Sequence, residues 1–334
     1  MQQIPIYILK RILQTIPLLI LVSLISFFII RLSPVDPLAE LKLNPSISKE
    51  TLQKETERLG LNKPIWQQYL LWGKSFVKGD LGVTSTGERV ASKLKERIPN
   101  TLLLTVVVIF MTWSVAVPLG MLAAIKWKTP FDRFLTFITS IGMAIPSFFF
   151  AILLLIFAVK TGWFPVGGLT SYNFNEMGFF HKVLDIAYHL VLPVTVLFTI
   201  SLAGLQRQMR ANILDVLDSD YIKFARAKGL SENKVLFKHA LRNAVNPMIT
   251  LLGFEFSSLL SGAALTRFMS DFRTASEYVF QYPGLGRLIL EAVLKSDINL
   301  VMASLMMGAF MLILGNLISD ILLIITDPRI RVRG

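Results

Sequence analysis

The residues that could do chemistry are few in this sequence, and they form no familiar catalytic grouping. The three histidines, His181, His189 and His239, are scattered and make no metal-ligand pair at helical spacing. No cysteine occurs, which excludes disulfides, thiolate metal sites and cysteine nucleophiles. Residues 79–87, GDLGVTSTG, contain glycines like those of a phosphate-binding loop but lack its lysine. The sequence therefore predicts no catalytic site, no metal site and no cofactor held by this chain.

Glu255 and Asp320 are carboxylates that lie within long apolar stretches. A charge inside a membrane is costly unless it is hydrated, paired or neutral, and ion-driven carriers keep such groups as relays. Asp320 is close to the basic residues 329–333, so pairing or an interfacial position explains it without a functional role. Glu255 is about two helical turns from the end of its stretch, where a wet vestibule is an alternative to a relay. Two such groups give little support for ion coupling.

A basic, alanine-containing island occupies residues 221–247, YIKFARAKGLSENKVLFKHALRNAVNP, between two apolar stretches. Residues 212–228 contain no proline or glycine and predict a single helix with a partial apolar stripe. Gly229 is predicted to end that helix, and Ser231 to cap a second one. The island is therefore expected to fold as a helix, a sharp glycine turn and another helix.

Two interpretations of this island follow from its residues. Ala225 and Ala227 are small enough to let another surface approach closely, and Gly229 can adopt a positive φ. These features favour a knob on which another protein docks. The lysines and arginines are equally typical of an amphipathic segment that rests on anionic lipid.

The elements that carry these residues are long apolar runs, in a chain that is 53% hydrophobic and 17% charged. A helix needs about 20 apolar residues to cross a membrane. Six stretches are predicted to do so, which indicates an all-α polytopic membrane protein. Basic loops between spans also explain the net charge of +12 without nucleic-acid binding. The predicted spans are 12–30, 101–125, 134–159, 189–205, 248–265 and 300–326.

The distribution of lysine and arginine predicts that both termini are cytoplasmic. The cytoplasmic pieces would then be the short basic segments 1–11, 126–133 and 327–334 together with the loop 206–247. The segment 31–100 is rich in lysine yet external in this topology, because long loops are largely exempt from the rule. This orientation places the island on the cytoplasmic side, parallel to the membrane.

The sequence predicts three parts: the tail and first span (1–31), an external segment (32–100) and a five-helix core (101–334). In the external segment, Ser48 is the predicted cap and Gly60 the predicted end of a short surface helix. A second stretch with aromatics and leucines at helical spacing follows it. The favoured interpretation is a small cap packed on the membrane helices, and the alternative is direct contact with a transported solute.

An ordered set of motifs along nearly the whole chain resembles the permease subunits of bacterial ATP-driven importers, specifically the oligopeptide, dipeptide and nickel family. The loop motif is ARAKGLSENKVLFKHALRNAVNP, in which Ala225 and Gly229 fit the broader superfamily pattern. Lys223 and Phe224 depart from that pattern, and residues 266–276 resemble an insertion. The other motifs are KRILQTIPLLILVSLISFFIIRLSPVDP, LGLNKPIWQQYLLW, GDLG, RIPNTLLLT, AIPSFF, YPGLGRLI and DPRIR.

The resemblance implies a type I importer permease fold with six transmembrane helices in a bacterial inner membrane. It implies a second homologous permease, two ATPase subunits that bind ATP and Mg²⁺, and an external solute-binding protein as partners. The cytoplasmic loop, about 206–247, would couple to the ATPases. Glu255 is predicted from its own chemistry to face the translocation path or the partner permease, because an intramembrane carboxylate is costly in lipid. The implied coupling residues are Ala225, Ala227, Gly229, Leu230 and Ser231.

Two other classes of function remain open from the residues alone. One is an ion-coupled secondary carrier, which the scarcity of intramembrane charge disfavours. The other is a membrane scaffold or receptor with no transport activity. Members of the resembled family handle peptides, nickel complexes or glutathione, and peptide is the preferred expectation because it is the broadest class.

Overall fold

The computed structural model describes residues 3–32, 36, 38–261, 272–295 and 297–326. That part of the chain is almost wholly helical, and its extended pairing is limited to one isolated bridge between Val83 and Arg89. The all-α prediction is confirmed. The helices before the first long span are α1 (Gln3–Leu32), α2 (Ala39–Leu43), α3 (Lys49–Leu59) and α4 (Ile65–Val77). The others are α5 (Val90–Ile125), α6 (Pro130–Ala144), α7 (Ser147–Thr161), α8 (Phe179–Leu217), α9 (Asp220–Ala227), α10 (Glu232–Lys234), α11 (Leu241–Ser261), α12 (Phe272–Val279), α13 (Leu285–Leu294) and α14 (Ile298–Thr326).

Three helices of the described residues are long and apolar enough to cross a membrane by themselves: α5, α8 and the part Ile298–Leu322 of α14. The apolar part of α1, Leu13–Ile29, is shorter. The predicted span 248–265 begins in α11, but its last residues lie outside the described part of the chain. The count of six spans therefore stays a prediction, as does the placement of the basic tail 327–334.

The predicted third span is not one straight helix. Helices α6 and α7 meet at Ile145–Pro146 with a bend of 93°, which is the geometry of a broken span or of a re-entrant loop. Pro146 has no backbone N–H to continue α6, and its ring disfavours the helical conformation at the residue before it. Ile145 is accordingly extended, with φ −81° and ψ 122°. The predicted span 134–159 runs through Pro146 without interruption, whereas the chain breaks there.

The membrane core forms where α5 packs along α8 and α11 packs along α14, with α1 on the outside of α14. Helices α5 and α8 touch at Gly120, where a Cβ would lie 2.7 Å from the backbone oxygen of Gln206. Only glycine allows so close an approach. The apolar cluster around this contact joins α5, α8 and α11 through buried side chains that include Ala116, Met209 and Met248.

The segment between α1 and α5, which is predicted to be external, is attached to α1 and α14. The Ser48 hydroxyl accepts a hydrogen bond from the Thr51 N–H, and Gly60 ends α3 at φ 59°, so the predicted cap and stop are confirmed. Helix α4 packs on α1 through Trp72, whose ring centroid is 5.9 Å from that of Phe27. The segment is therefore a small cap packed on the helices, as favoured from the sequence.

Polar groups fasten this cap to the start of α14. The Arg58 guanidinium donates to the Asn299 side-chain oxygen at 2.6 Å and pairs with Glu55 at 2.8 Å. The Ser85 N–H donates to the buried carboxylate of Asp297, which also accepts from the Leu300 N–H at 3.0 Å. The two parts are held by buried hydrogen bonds as well as by apolar contact.

Hydrogen bonds connect the turn between α12 and α13 to α5. The Tyr282 hydroxyl donates to the Asn100 backbone oxygen at 2.8 Å, and the Asn100 amide donates to the Pro283 carbonyl at 2.9 Å. Of the segment resembling an insertion, residues 266–271 lie outside the described part of the chain, whereas residues 272–276 form the first turns of α12. The YPGLG motif therefore connects the turn between α12 and α13 to α5 through hydrogen bonds.

Candidate functional site

The island begins with a break that the sequence analysis did not predict. Helix α8 ends at Leu217, and Ser219 is extended at φ −68° and ψ 150° before α9 starts at Asp220. The Ser219 hydroxyl donates to the Val216 carbonyl at 2.5 Å, which satisfies an acceptor at the end of α8. The prediction of one helix over 212–228 was therefore wrong, because a serine beside aspartates favours a helix boundary.

The glycine turn has the predicted form. Gly229 is left-handed at φ 76°, its N–H donates to the Arg226 carbonyl at 2.9 Å, and the Leu230 N–H donates to the Ala225 carbonyl at 3.4 Å. This pair of bonds is the Schellman motif, which closes the end of a helix and reverses the chain. The turn brings α9 against residues 235–240, which follow α10.

The second arm differs from the prediction in two details. Ser231 occupies the position before α10, but its side chain makes no capping hydrogen bond. After Glu232–Lys234 the chain continues through a π-helical stretch, Val235–Ala240, into α11. The predicted capping role of Ser231 was therefore wrong, although its position at the helix start was right.

The two arms pack on each other through a small apolar core. Ile222, Val235 and Ala240 are fully buried, and Leu230 packs against them from the turn. Ala225 belongs to this core, with only 8% of its surface exposed. Its small side chain lets the arms approach each other and is not presented to an outside partner, which corrects the sequence interpretation.

The outer face of the island carries large apolar side chains. Phe224 is 61% exposed and Phe237 is 58% exposed, and Tyr221, three residues before Phe224, is also exposed. Ala227 and Gly229 are exposed as well. Phe224 lies within the predicted helix 212–228, and neither its exposure nor that of Phe237 was predicted. An aromatic residue among lysines in a predicted water-facing loop is nevertheless an available signal.

An ion pair and a cation–aromatic contact hold residues of the island to one another. Arg226 and Glu232 form a two-bonded ion pair across the turn, at 2.8 and 3.2 Å. The Lys228 ammonium lies 4.6 Å from the centroid of the Phe224 ring, which orients that exposed ring. The island is thus a preformed helical hairpin that exposes an aromatic side chain on each arm.

An ion pair connects the end of α8 that leads into the island, here called its stem, to the start of α6. The Arg210 guanidinium, on α8, donates twice to the Asp132 carboxylate, with both distances 2.7 Å. The Asp132 side chain is 5% exposed and also accepts from the Lys128 N–H at 3.0 Å. The sequence does not predict this pair, since its members are far apart in the chain and only the packing of α6 on α8 brings them together.

Glu255 is not part of the island. It is half-buried on α11 and accepts a hydrogen bond from the Trp113 indole N–H at 3.1 Å. Its distance from Leu241 along the helix is about 20 Å. Trp113 also lines an apolar cavity of about 390 Å³ between α5, α11 and α14, which Phe110 and Leu252 line with it. Within the described residues, no group of three or more acidic or histidine side chains is placed to hold a metal ion.

Known proteins resemble this chain over nearly its full length. The family model described as binding-protein-dependent transport system inner membrane component matches residues 116–332, and the corresponding N-terminal model matches residues 4–105. The oligopeptide transport system permease protein AppB of Bacillus subtilis is 40% identical, covering 97% of this chain and 98% of that protein. The di/tripeptide transport system permease protein DppB of Pseudomonas aeruginosa is 35% identical, with coverages of 97% and 98%.

Proposed function

The chain belongs to the family of binding-protein-dependent transport system inner membrane components, and from this we propose that it is one of two homologous permease subunits of an ATP-driven importer. The partner permease would complete the path through the inner membrane. Two ATPase subunits would bind ATP and Mg²⁺ and hydrolyse the nucleotide, and an external protein would deliver the solute. This chain would supply half of the path and the contact that receives the ATPase movement.

The observation that carries the coupling role is the exposed aromatic face on an internally fixed hairpin. Phe224 and Phe237 remain largely exposed although the arms beneath them are fully packed. Aromatic side chains of this kind are typical anchors at protein interfaces, where they fill pockets of the partner. Gly229 lies at the end of the hairpin with no other atoms within 4 Å of a built Cβ, so a partner surface can reach the turn.

The contacts that hold the hairpin together also explain how a movement of the ATPase would be transmitted to the membrane helices. The Arg226–Glu232 pair and the buried core hold its arms together, and the Asp132–Arg210 pair holds its stem to α6. A push on a hairpin held in this way would move α8 and α6 together. Coupling between distant sites needs such a connected, rigid element.

Peptides are the proposed solutes. The relatives are named for oligopeptide and di/tripeptide transport, and their likeness to this chain extends over almost its whole length. Glu255 is proposed to face the path or the partner permease, because its polar contact with Trp113 favours a position away from lipid. The external solute-binding protein would select among peptides.

Reconstitution tests the transport role. The chain assembled with its partner permease and ATPases in proteoliposomes is expected to take up labelled peptide only when ATP, Mg²⁺ and the binding protein are present. Omitting this chain should abolish uptake, because half of the path and one coupling hairpin are lost. Uptake that persists without ATP but follows an ion gradient would favour a secondary carrier, and assembly without any uptake would favour a scaffold.

Cysteine labelling tests the proposed orientation, with both termini and the island cytoplasmic. The chain has no cysteine of its own, so one placed at exposed Ser231 gives a single reporter. An impermeant maleimide should label it only after the membrane is opened. A cysteine at exposed Lys63, in the external segment, should be labelled in intact cells. The reverse pattern would contradict the orientation.

A further inference from the structure

We propose that the hairpin between α5 and α6, residues 126–133, binds the headgroups of anionic phospholipids. Its three cations, Lys126, Lys128 and Arg133, are all exposed. Within the described residues, none of the three has a carboxylate within ion-pair distance. The hairpin therefore presents three exposed positive charges that no carboxylate of the described residues neutralises.

Asp132, the only carboxylate of residues 126–133, already has its hydrogen-bond partners within the chain. Asp132 receives both bonds of the Arg210 guanidinium, and it also accepts the Lys128 N–H. Its charge is thus neutralised by a residue of α8, and its second role is to fix the backbone at Lys128, which is left-handed at φ 62°. The cationic turn is held in one shape by buried groups and does not depend on a ligand for its form.

Two of the three cations lie against aromatic rings. The Lys126 ammonium lies 4.8 Å from the Phe131 ring centroid, and the Lys128 ammonium lies 4.2 Å from that of Trp127. Trp127 is itself 52% exposed. Indole rings beside lysine are typical of the headgroup level of a bilayer, where the ring and the cation each find their preferred surroundings.

The neighbouring surface identifies the occupant as lipid. Above the hairpin, α5 exposes Leu122 and Ile125, and one face of α6 exposes Phe134 and Phe137. On both helices these apolar side chains lie next to the cationic turn. A surface that is apolar along the helices and basic at their ends matches an acyl region followed by a negatively charged headgroup layer.

The test compares the wild-type transporter with a Lys126→Gln/Lys128→Gln variant, each assembled with its partners in nanodiscs. Spin-labelled phosphatidylglycerol and phosphatidylcholine report how strongly each lipid associates with the protein. The preference for phosphatidylglycerol is expected to fall by roughly five-fold for each lysine at low ionic strength. Inorganic phosphate added to the wild-type complex should not abolish the preference, since the headgroup is presented by the bilayer.

Two further variants make the result decisive. Lys126→Arg/Lys128→Arg should keep the preference, and Lys63→Gln/Lys78→Gln, which removes the same charge from exposed residues of the external segment, should leave it unchanged. An unchanged preference in the Lys126→Gln/Lys128→Gln variant would overturn the proposal. So would a variant that keeps its lipids but releases the ATPases, because the hairpin would then be a protein contact.

Discussion

Gly229→Glu is expected to abolish peptide-stimulated ATP hydrolysis and peptide uptake together, while the chain still inserts and pairs with its partner permease. The residue has φ 76°, and a built Cβ meets nothing within 4 Å. The cost inside the chain is therefore only the backbone strain of a side chain at positive φ, on the order of 1 kcal/mol. The exposed turn would instead meet the ATPase surface, where a central contact is worth about 2 kcal/mol or more, roughly 30-fold in affinity.

Gly79→Glu provides the matched control. Gly79 has almost the same conformation, φ 78°, and a Cβ there would also meet nothing within 4 Å. The residue lies in the segment proposed to be external, on the opposite side of the membrane from the ATPases. The control should suffer the same backbone strain and retain coupling. Equal loss of activity in both variants would mean that strain explains the effect, and normal import by assembled Gly229→Glu would contradict the docking role of the island.

Arg210→Ala is expected to destabilise the chain by about 3 kcal/mol, because it leaves the buried Asp132 carboxylate without its partner. The expected readouts are a lower midpoint of thermal unfolding in detergent and a weaker dependence of ATP hydrolysis on peptide. The second effect follows from the position of the pair, which joins the stem of the island to α6. Arg210→Lys should be intermediate, since lysine keeps the charge but cannot form the two-bonded geometry.

Arg207→Ala and the double variant Asp132→Ala/Arg210→Ala separate the pair from charge in general. Arg207 is an exposed neighbour on α8 whose guanidinium donates to the Ser140 hydroxyl, so its loss should matter little. Removing both members of the buried pair leaves no uncompensated charge and should recover much of the thermal stability. If the double variant recovers stability but not coupling, the pair itself transmits the movement. Full coupling in Arg210→Ala would refute that role.

The sequence determined the local features of the candidate site. Gly229 was identified as the turn because a glycine between two helix-prone segments favours the left-handed conformation that closes a helix. Ser48 and Gly60 were identified in the same way, and their roles also depend on groups only a few residues away. The apolar runs likewise predicted the long helices α5, α8 and α14, since crossing a membrane demands a length that is visible in the sequence.

Only the tertiary structure decided which side chains face inward and which groups meet. Ala225 is buried and Phe224 exposed because the second arm folds back on the first, and the periodicity of one helix cannot state which face its partner covers. Asp132 and Arg210 meet because α6 packs on α8. Such contacts join residues far apart in the chain, so their geometry follows from packing and not from local sequence.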